Sequence, residues 1–240
     1  MIPKKIHYCW FGENPLPKDV QKYIDTWKKF CPDYEIKEWN EQNFDIHRNR
    51  YVEEAYQQKK WAFVSDVARI YALYTEGGIY MDTDVEVVRA LDPLLNTRGF
   101  LGFEGSKWIA TNLVGFEAGH EILLKFLESY DQRSFIKEDG ILDQTTNVEE
   151  LTKLLVDNYH LILNGEEQIL ADGIVVYPTD YFSPYDYIQG KLNRTERTYT
   201  IHWFSQTWIK KSILKKKLFV LLVLFTPKRL CEFICSKKID

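Results

Sequence analysis

Cysteine is scarce. Cys9, Cys31, Cys231 and Cys235 are scattered with no C-x-x-C pair among them, a spacing that suggests neither a zinc knuckle nor a disulfide framework and fits a reducing compartment. Basic excess is missing too. A formal net charge of -4 leaves no stripe to neutralise phosphates, so a general nucleic-acid binder is not expected. No apolar run reaches the roughly 20 residues of a spanning helix; the run at 218–225 stops at Thr226-Pro227. The opening Met1-Ile2-Pro3-Lys4-Lys5 lacks the apolar stretch of a secretory leader, so export is not expected. Gly12-Glu13-Asn14-Pro15 is not followed by Gly-Lys-Ser or Gly-Lys-Thr, which disfavours kinase-type phosphate binding. Internal repeats and low-complexity linkers are absent.

What is present is a chain that is 45% apolar and 15% aromatic, enough for one substantial core. Residues 6–11 read as a strand, 17–30 as a helix and 34–39 as a second strand, a βαβ opening. Residues 51–76 read as two helices, the second burying a face of Phe63, Val67, Ile70 and Tyr74. Gly77-Gly78 ends it, and strands are expected at 79–81 and 85–88. Further strands are expected at 99–103, 109–114, 174–177 and 198–201, with helices at 120–130 and 148–158. This is an α/β pattern.

Asp82 and Asp84 follow the short strand Ile79-Tyr80-Met81. Ligands in open α/β sheets gather beyond the carboxyl ends of strands. Two carboxylates there are expensive unless a cation offsets their desolvation and repulsion. Hard oxygens suit Mg2+ or Mn2+ bridging phosphates, as on a departing diphosphate. One helix earlier, Ser65, Asp66 and Arg69 lie together, with Asp66 and Arg69 three apart. A local ion pair and a sugar-binding carboxylate steadied by an arginine both fit that spacing. Asn112, on a neighbouring predicted strand, either reaches the same ligand or satisfies backbone.

Trp61-Ala62-Phe63-Val64-Ser65-Asp66-Val67-Ala68-Arg69 and Glu76-Gly77-Gly78-Ile79-Tyr80-Met81-Asp82-Thr83-Asp84 together resemble the signature of the DXD-containing sugar transferases. That family includes the fungal initiating mannosyltransferases and bacterial capsule and exopolysaccharide enzymes, and is related to the catalytic domain of the large glucosylating toxins. Residues 2–12 resemble its opening strand and 201–208 its closing segment. The resemblance implies a GT-A type fold, a Rossmann-like mixed sheet flanked by helices, over 1–208. It also implies retaining transfer from a nucleotide-sugar donor, with UDP-hexose favoured, to a saccharide or lipid-linked saccharide, and an Mn2+ or Mg2+ ion.

On this mapping Trp10 stacks on the nucleotide base, the alternative being a core tryptophan at a strand end. Ser65, Asp66 and Arg69 match donor-sugar positions, and Asp82 and Asp84 match the ribose and metal contacts. His202 matches the C-terminal metal ligand, and Thr207 and Trp208 close over the donor phosphates. Asp82, Asp84 and Arg69 form the expected catalytic group. Two departures stand out: Thr207 replaces the usual Ser, and no Gly-Pro occurs around Thr145-Thr146-Asn147.

Residues 209–240 form an expected helical tail, both basic and apolar. It would either lie on an anionic membrane at the cytoplasmic face or dock on the core. A haloacid-dehalogenase-like phosphohydrolase also uses D-x-D, but Glu86 stands where that pattern wants Thr or Val. A non-catalytic membrane-associated interaction protein is the other alternative, supported by the tail alone.

Overall fold

The computed structural model describes residues 1–205. The expectations for Thr207, Trp208 and the tail therefore lie outside the described residues. Helices and strands follow in the order β1 (Lys5–Cys9), α1 (Lys18–Phe30), β2 (Glu35–Trp39), α2 (Arg50–Gln57), α3 (Trp61–Glu76), β3 (Gly78–Met81) and β4 (Val85–Val87). They continue with β5 (Gly99–Glu104), β6 (Trp108–Phe116), α4 (Glu121–Asp131), α5 (Asn147–Tyr159), β7 (Gln168–Ile169) and β8 (Ile174–Tyr177). The described part ends with α6 (Thr179–Phe182), β9 (Tyr185–Asp186), β10 (Lys191–Leu192) and β11 (Thr200–His202).

Seven strands form a mixed central sheet in the order β2-β1-β3-β6-β5-β8-β7. β1 runs parallel to β2 and β3, so the βαβ opening is present, while β6 runs antiparallel to both β3 and β5. One apolar cluster packs the face covered by α2 to α5, and a second packs the face covered by α1. This is the mixed central sheet flanked by helices expected from the sequence. A two-stranded ribbon, β4 with β11, sits beside the sheet and places His202 opposite Val85. Trp27 of α1 ties that ribbon down through Nε1, which donates to the Val85 carbonyl at 2.7 Å.

The expected buried face of α3 needs correction. Val67 and Ile70 are buried, but Phe63 and Tyr74 are half-buried, and burial extends through Val64, Ala68, Ala72 and Leu73. The cause is position: α3 is packed between the sheet, at β1 and β3, and the helices α2 and α4, so more than one side is covered.

Gly77 closes the helix with φ +64, its N–H donating to the Leu73 carbonyl, and Gly78 follows at φ +110. A Cβ at Gly77 would meet the Ala118 backbone, and one at Gly78 the Lys5 carbonyl. Larger residues would push α3 off the sheet, so the pair fixes how Arg69 and Asp82 approach each other. Among the described residues no helix is long and apolar enough to cross a membrane.

Candidate functional site

β3 delivers Asp82 to the sheet edge, where its N–H donates to the Asn112 carbonyl at 2.8 Å. The chain then turns, the Val85 N–H donating to the Asp82 carbonyl at 3.1 Å, so that Asp84 faces β11. Asp82 stays on the α3 side. Its Oδ1 accepts from the Tyr80 hydroxyl at 2.8 Å and lies 3.2 Å from Arg69 Nη1. Asp84 Oδ1 lies 3.2 Å from His202 Nε2, and Oδ2 accepts from the Ser205 N–H at 2.6 Å.

One ligand atom from each of Asp82, Asp84 and His202 lies within 4.8 Å of the others. Ligands about 2.1 Å from a six-coordinate ion stand at most about 4.2 Å apart, so the triad needs only slight contraction to hold one. Two carboxylates and an imidazole fit a divalent cation chemically. His202 Nδ1 is buried with no hydrogen-bond partner among the described residues, as is Asn112 Nδ2.

Arg69 is buried and fully engaged. Its Nη2 meets Asp66 Oδ1 at 3.1 Å, Nη1 donates to the Thr111 carbonyl at 2.9 Å and Nε donates to the Ser65 carbonyl at 3.2 Å. The guanidinium also sits 4.5 Å over the Tyr80 ring. Such a group orients Asp66 and Asp82 rather than reaching outward for a phosphate.

Electrostatics separate the carboxylates. Burial pushes Asp66 up to about 6 against the pull of Arg69, with Asp82 adding to the rise. Burial also opposes charge on Asp84, yet the His202 hydrogen bond and the Ser205 N–H bring its pKa below the usual carboxylate value. His202 is desolvated, but the hydrogen bond and charge of Asp84, with Asp82 and Glu104 behind it, raise its pKa. Glu104, at the end of β5, is raised by burial, His202 opposing and Asp82 reinforcing.

The structure thus brings Asp66, Arg69, Asp82, Asp84 and His202 into one connected group. Asn112 touches it through its backbone, while its side-chain Oδ1 accepts from Ser183 Oγ at 3.4 Å. Ser65 contributes its carbonyl. Trp10 follows β1 on the same sheet edge and lines a cavity of about 480 Å3 with Glu13, Asn14, Asn40 and Glu41. No direct contact joins Trp10 to Asp82 or Arg69 among the described residues. Three contributors were not singled out from the sequence: Tyr80, Glu104 and Ser205. Tyr80 carried a signal, since residues two apart on a strand share a face.

Residues 17–101 match the family model described as "Glycosyltransferase sugar-binding region containing DXD motif". Among curated proteins, the chain is 31% identical over 146 residues to inositol phosphoceramide mannosyltransferase 3 of Schizosaccharomyces pombe, covering 56% of this chain and 38% of that protein. It is 28% identical over 152 residues to the mannosyl phosphorylinositol ceramide synthase SUR1 of Saccharomyces cerevisiae, covering 60% of this chain and 40% of that one. The chain therefore spans about two fifths of the length of these relatives. A solved structure, the PaToxG glycosyltransferase, is similar at 18% identity and a TM-score of 0.48, over 65% of this chain and 68% of that one. Residues 17–101 contain Ser65, Asp66, Arg69, Asp82 and Asp84, and this segment belongs to the family of glycosyltransferase sugar-binding regions that contain the DXD motif.

Proposed function

We propose that the chain is a metal-dependent, retaining glycosyltransferase that moves a hexose from a nucleotide sugar to a saccharide or lipid-linked saccharide in capsule or exopolysaccharide synthesis. The observation that carries this reading is the convergence of Asp82, Asp84 and His202, with Arg69 linking Asp82 to the desolvated Asp66. Asp84, Asp82 and His202 would hold Mn2+ or Mg2+, which supplies charge neutralisation for the departing diphosphate.

The remaining roles belong to the chain's own groups. Asp66 accepts hydrogen bonds from donor-sugar hydroxyls, and Arg69 fixes the direction of both Asp66 and Asp82. Trp10 offers an aromatic face to the base, and Asn112 Nδ2 is a buried donor with no other partner among the described residues. Thr207 and Trp208, outside the described residues, are assigned to the donor phosphates by family resemblance. The proposed route is front-side displacement, in which the departing phosphate takes the acceptor proton.

The catalytic unit is proposed as 1–208, with 209–240 serving as a peripheral anchor on the cytoplasmic membrane face. UDP-hexose is the favoured donor, while the names of the fungal relatives point to mannose. The test is Mn2+-dependent hydrolysis of a panel of UDP- and GDP-sugars by the purified chain. Turnover of one donor that stops with EDTA is expected; no turnover of any donor, with or without metal, would remove the reading.

A further inference from the structure

β3 and β5 both run antiparallel to the intervening β6, and β1 runs parallel to β3, so the carboxyl ends of β1, β3 and β5 share one edge of the sheet. Trp10, Asp82 and Glu104 follow one another along that edge. β6 pairs with β3 from Leu113 onward, whereas Trp108, Ile109 and Ala110 pair with β5. The β5–β6 hairpin therefore overhangs the site on the side away from Trp10.

Glu104 and Trp108 are direct partners across the last rung of this hairpin. Direct partners project from the same face of a sheet. That face is turned toward β11: Gly102, two residues before Glu104 on the same strand, faces the Phe182 ring, and the Phe182 carbonyl accepts from Thr200 Oγ1 of β11, the strand that carries His202. Among the described residues no hydrogen bond or ion pair reaches this half-buried carboxylate. Trp108 is 45% exposed, a large apolar side chain left open to solvent. The hairpin is anchored: Thr179 Oγ1 donates to the Gly105 carbonyl at 2.6 Å, and the Ile109 N–H donates to Thr152 Oγ1 at 2.9 Å. It is a fixed ledge.

An exposed indole beside an unpaired, desolvated carboxylate selects its occupant chemically. A sugar ring presents a C–H face to the indole and hydroxyl donors to the carboxylate. An anionic ligand would be repelled by Glu104, and a purely apolar one would leave the carboxylate without a donor. We propose that Trp108 and Glu104 form the platform for the acceptor saccharide, Trp108 stacking on a sugar ring and Glu104 accepting a hydrogen bond from its hydroxyl. This rests on the glycosyltransferase reading and puts the acceptor at the β5–β6 hairpin, on the side of Asp82 away from Trp10.

Saturation-transfer NMR on the full chain tests it, with Mn2+ and uridine or guanosine diphosphate present and lactose, maltose, cellobiose and mannobiose as probes. At least one disaccharide should bind, Trp108→Ala should weaken it about tenfold or more, and Trp108→Phe should restore most of the affinity. Glu104→Gln should also weaken it. No binding of any probe to the wild-type chain, or equal affinity in Trp108→Ala, overturns the platform. Circular dichroism melts of each variant separate a lost platform from a lost fold. Failure of both nucleoside diphosphates to bind overturns the glycosyltransferase reading, and the saccharide titrations decide the platform whichever way that result falls.

Discussion

Asp66 is a buried carboxylate whose only ion-pair partner among the described residues, Arg69, also serves Asp82. Burial lifts its pKa from an ordinary 3.8 to about 6. With a folded value above the unfolded one, its contribution to stability is complete below pH 3.8 and is lost as pH rises through about 6. At about 1.4 kcal/mol for each pH unit, the ionised form costs the fold about 3 kcal/mol at pH 8. Asn has the same shape and does not ionise. Asp66→Asn should therefore raise the melting temperature at pH 8 by about 6–12 °C, given about 2–4 °C per kcal/mol in a chain of this size. At pH 4 the two proteins should melt nearly together. The assay is circular dichroism melting from pH 4 to 8 in EDTA, without nucleotide. A variant that melts at or below wild type at pH 8, or whose offset is the same at both ends of the range, refutes the reasoning. If Asp66 holds the donor sugar, the stabilised variant should also lose turnover, because a destabilised group is retained for its chemistry.

Other consequences can be checked separately. Trp10→Ala should weaken nucleoside diphosphate binding about tenfold in calorimetry if the indole stacks on the base, and an unchanged affinity would return Trp10 to a packing role. Gly115→Ala would drive a Cβ into the Phe100 ring across the β5–β6 ladder, so urea unfolding should show a loss of about 1–3 kcal/mol.

Local signals were legible where chemistry and periodicity coincide in a short window. The βαβ opening, the two glycines and the aspartates after β3 could be read directly, because strand, helix stop and turn each have their own residue types. The three-residue spacing put Asp66 beside Arg69, and they meet at 3.1 Å. Long-range pairings were not legible from spacing. His202 reaches Asp84 because β11 pairs with β4, and only family resemblance pointed to it.

Glu104 sat visibly at a strand end, yet its direction depends on the β5–β6 register, which shifts between Phe100 and Gly102. The buried face of α3 is not legible in the sequence, because a helix covered by both sheet and helices loses the one-sided pattern that periodicity detects. β7, β9 and β10, of two residues each, are too short to carry any period.

The proposed function requires a cation held by Asp82, Asp84 and His202 and presented to a diphosphate. Calorimetric titration of uridine and guanosine diphosphate into the purified chain, with Mn2+, with EDTA, and with Mn2+ in Asp84→Ala, measures that grip directly. Binding of one of them that falls at least about tenfold both in EDTA and in the variant is predicted. Equal affinity under all three conditions would contradict it.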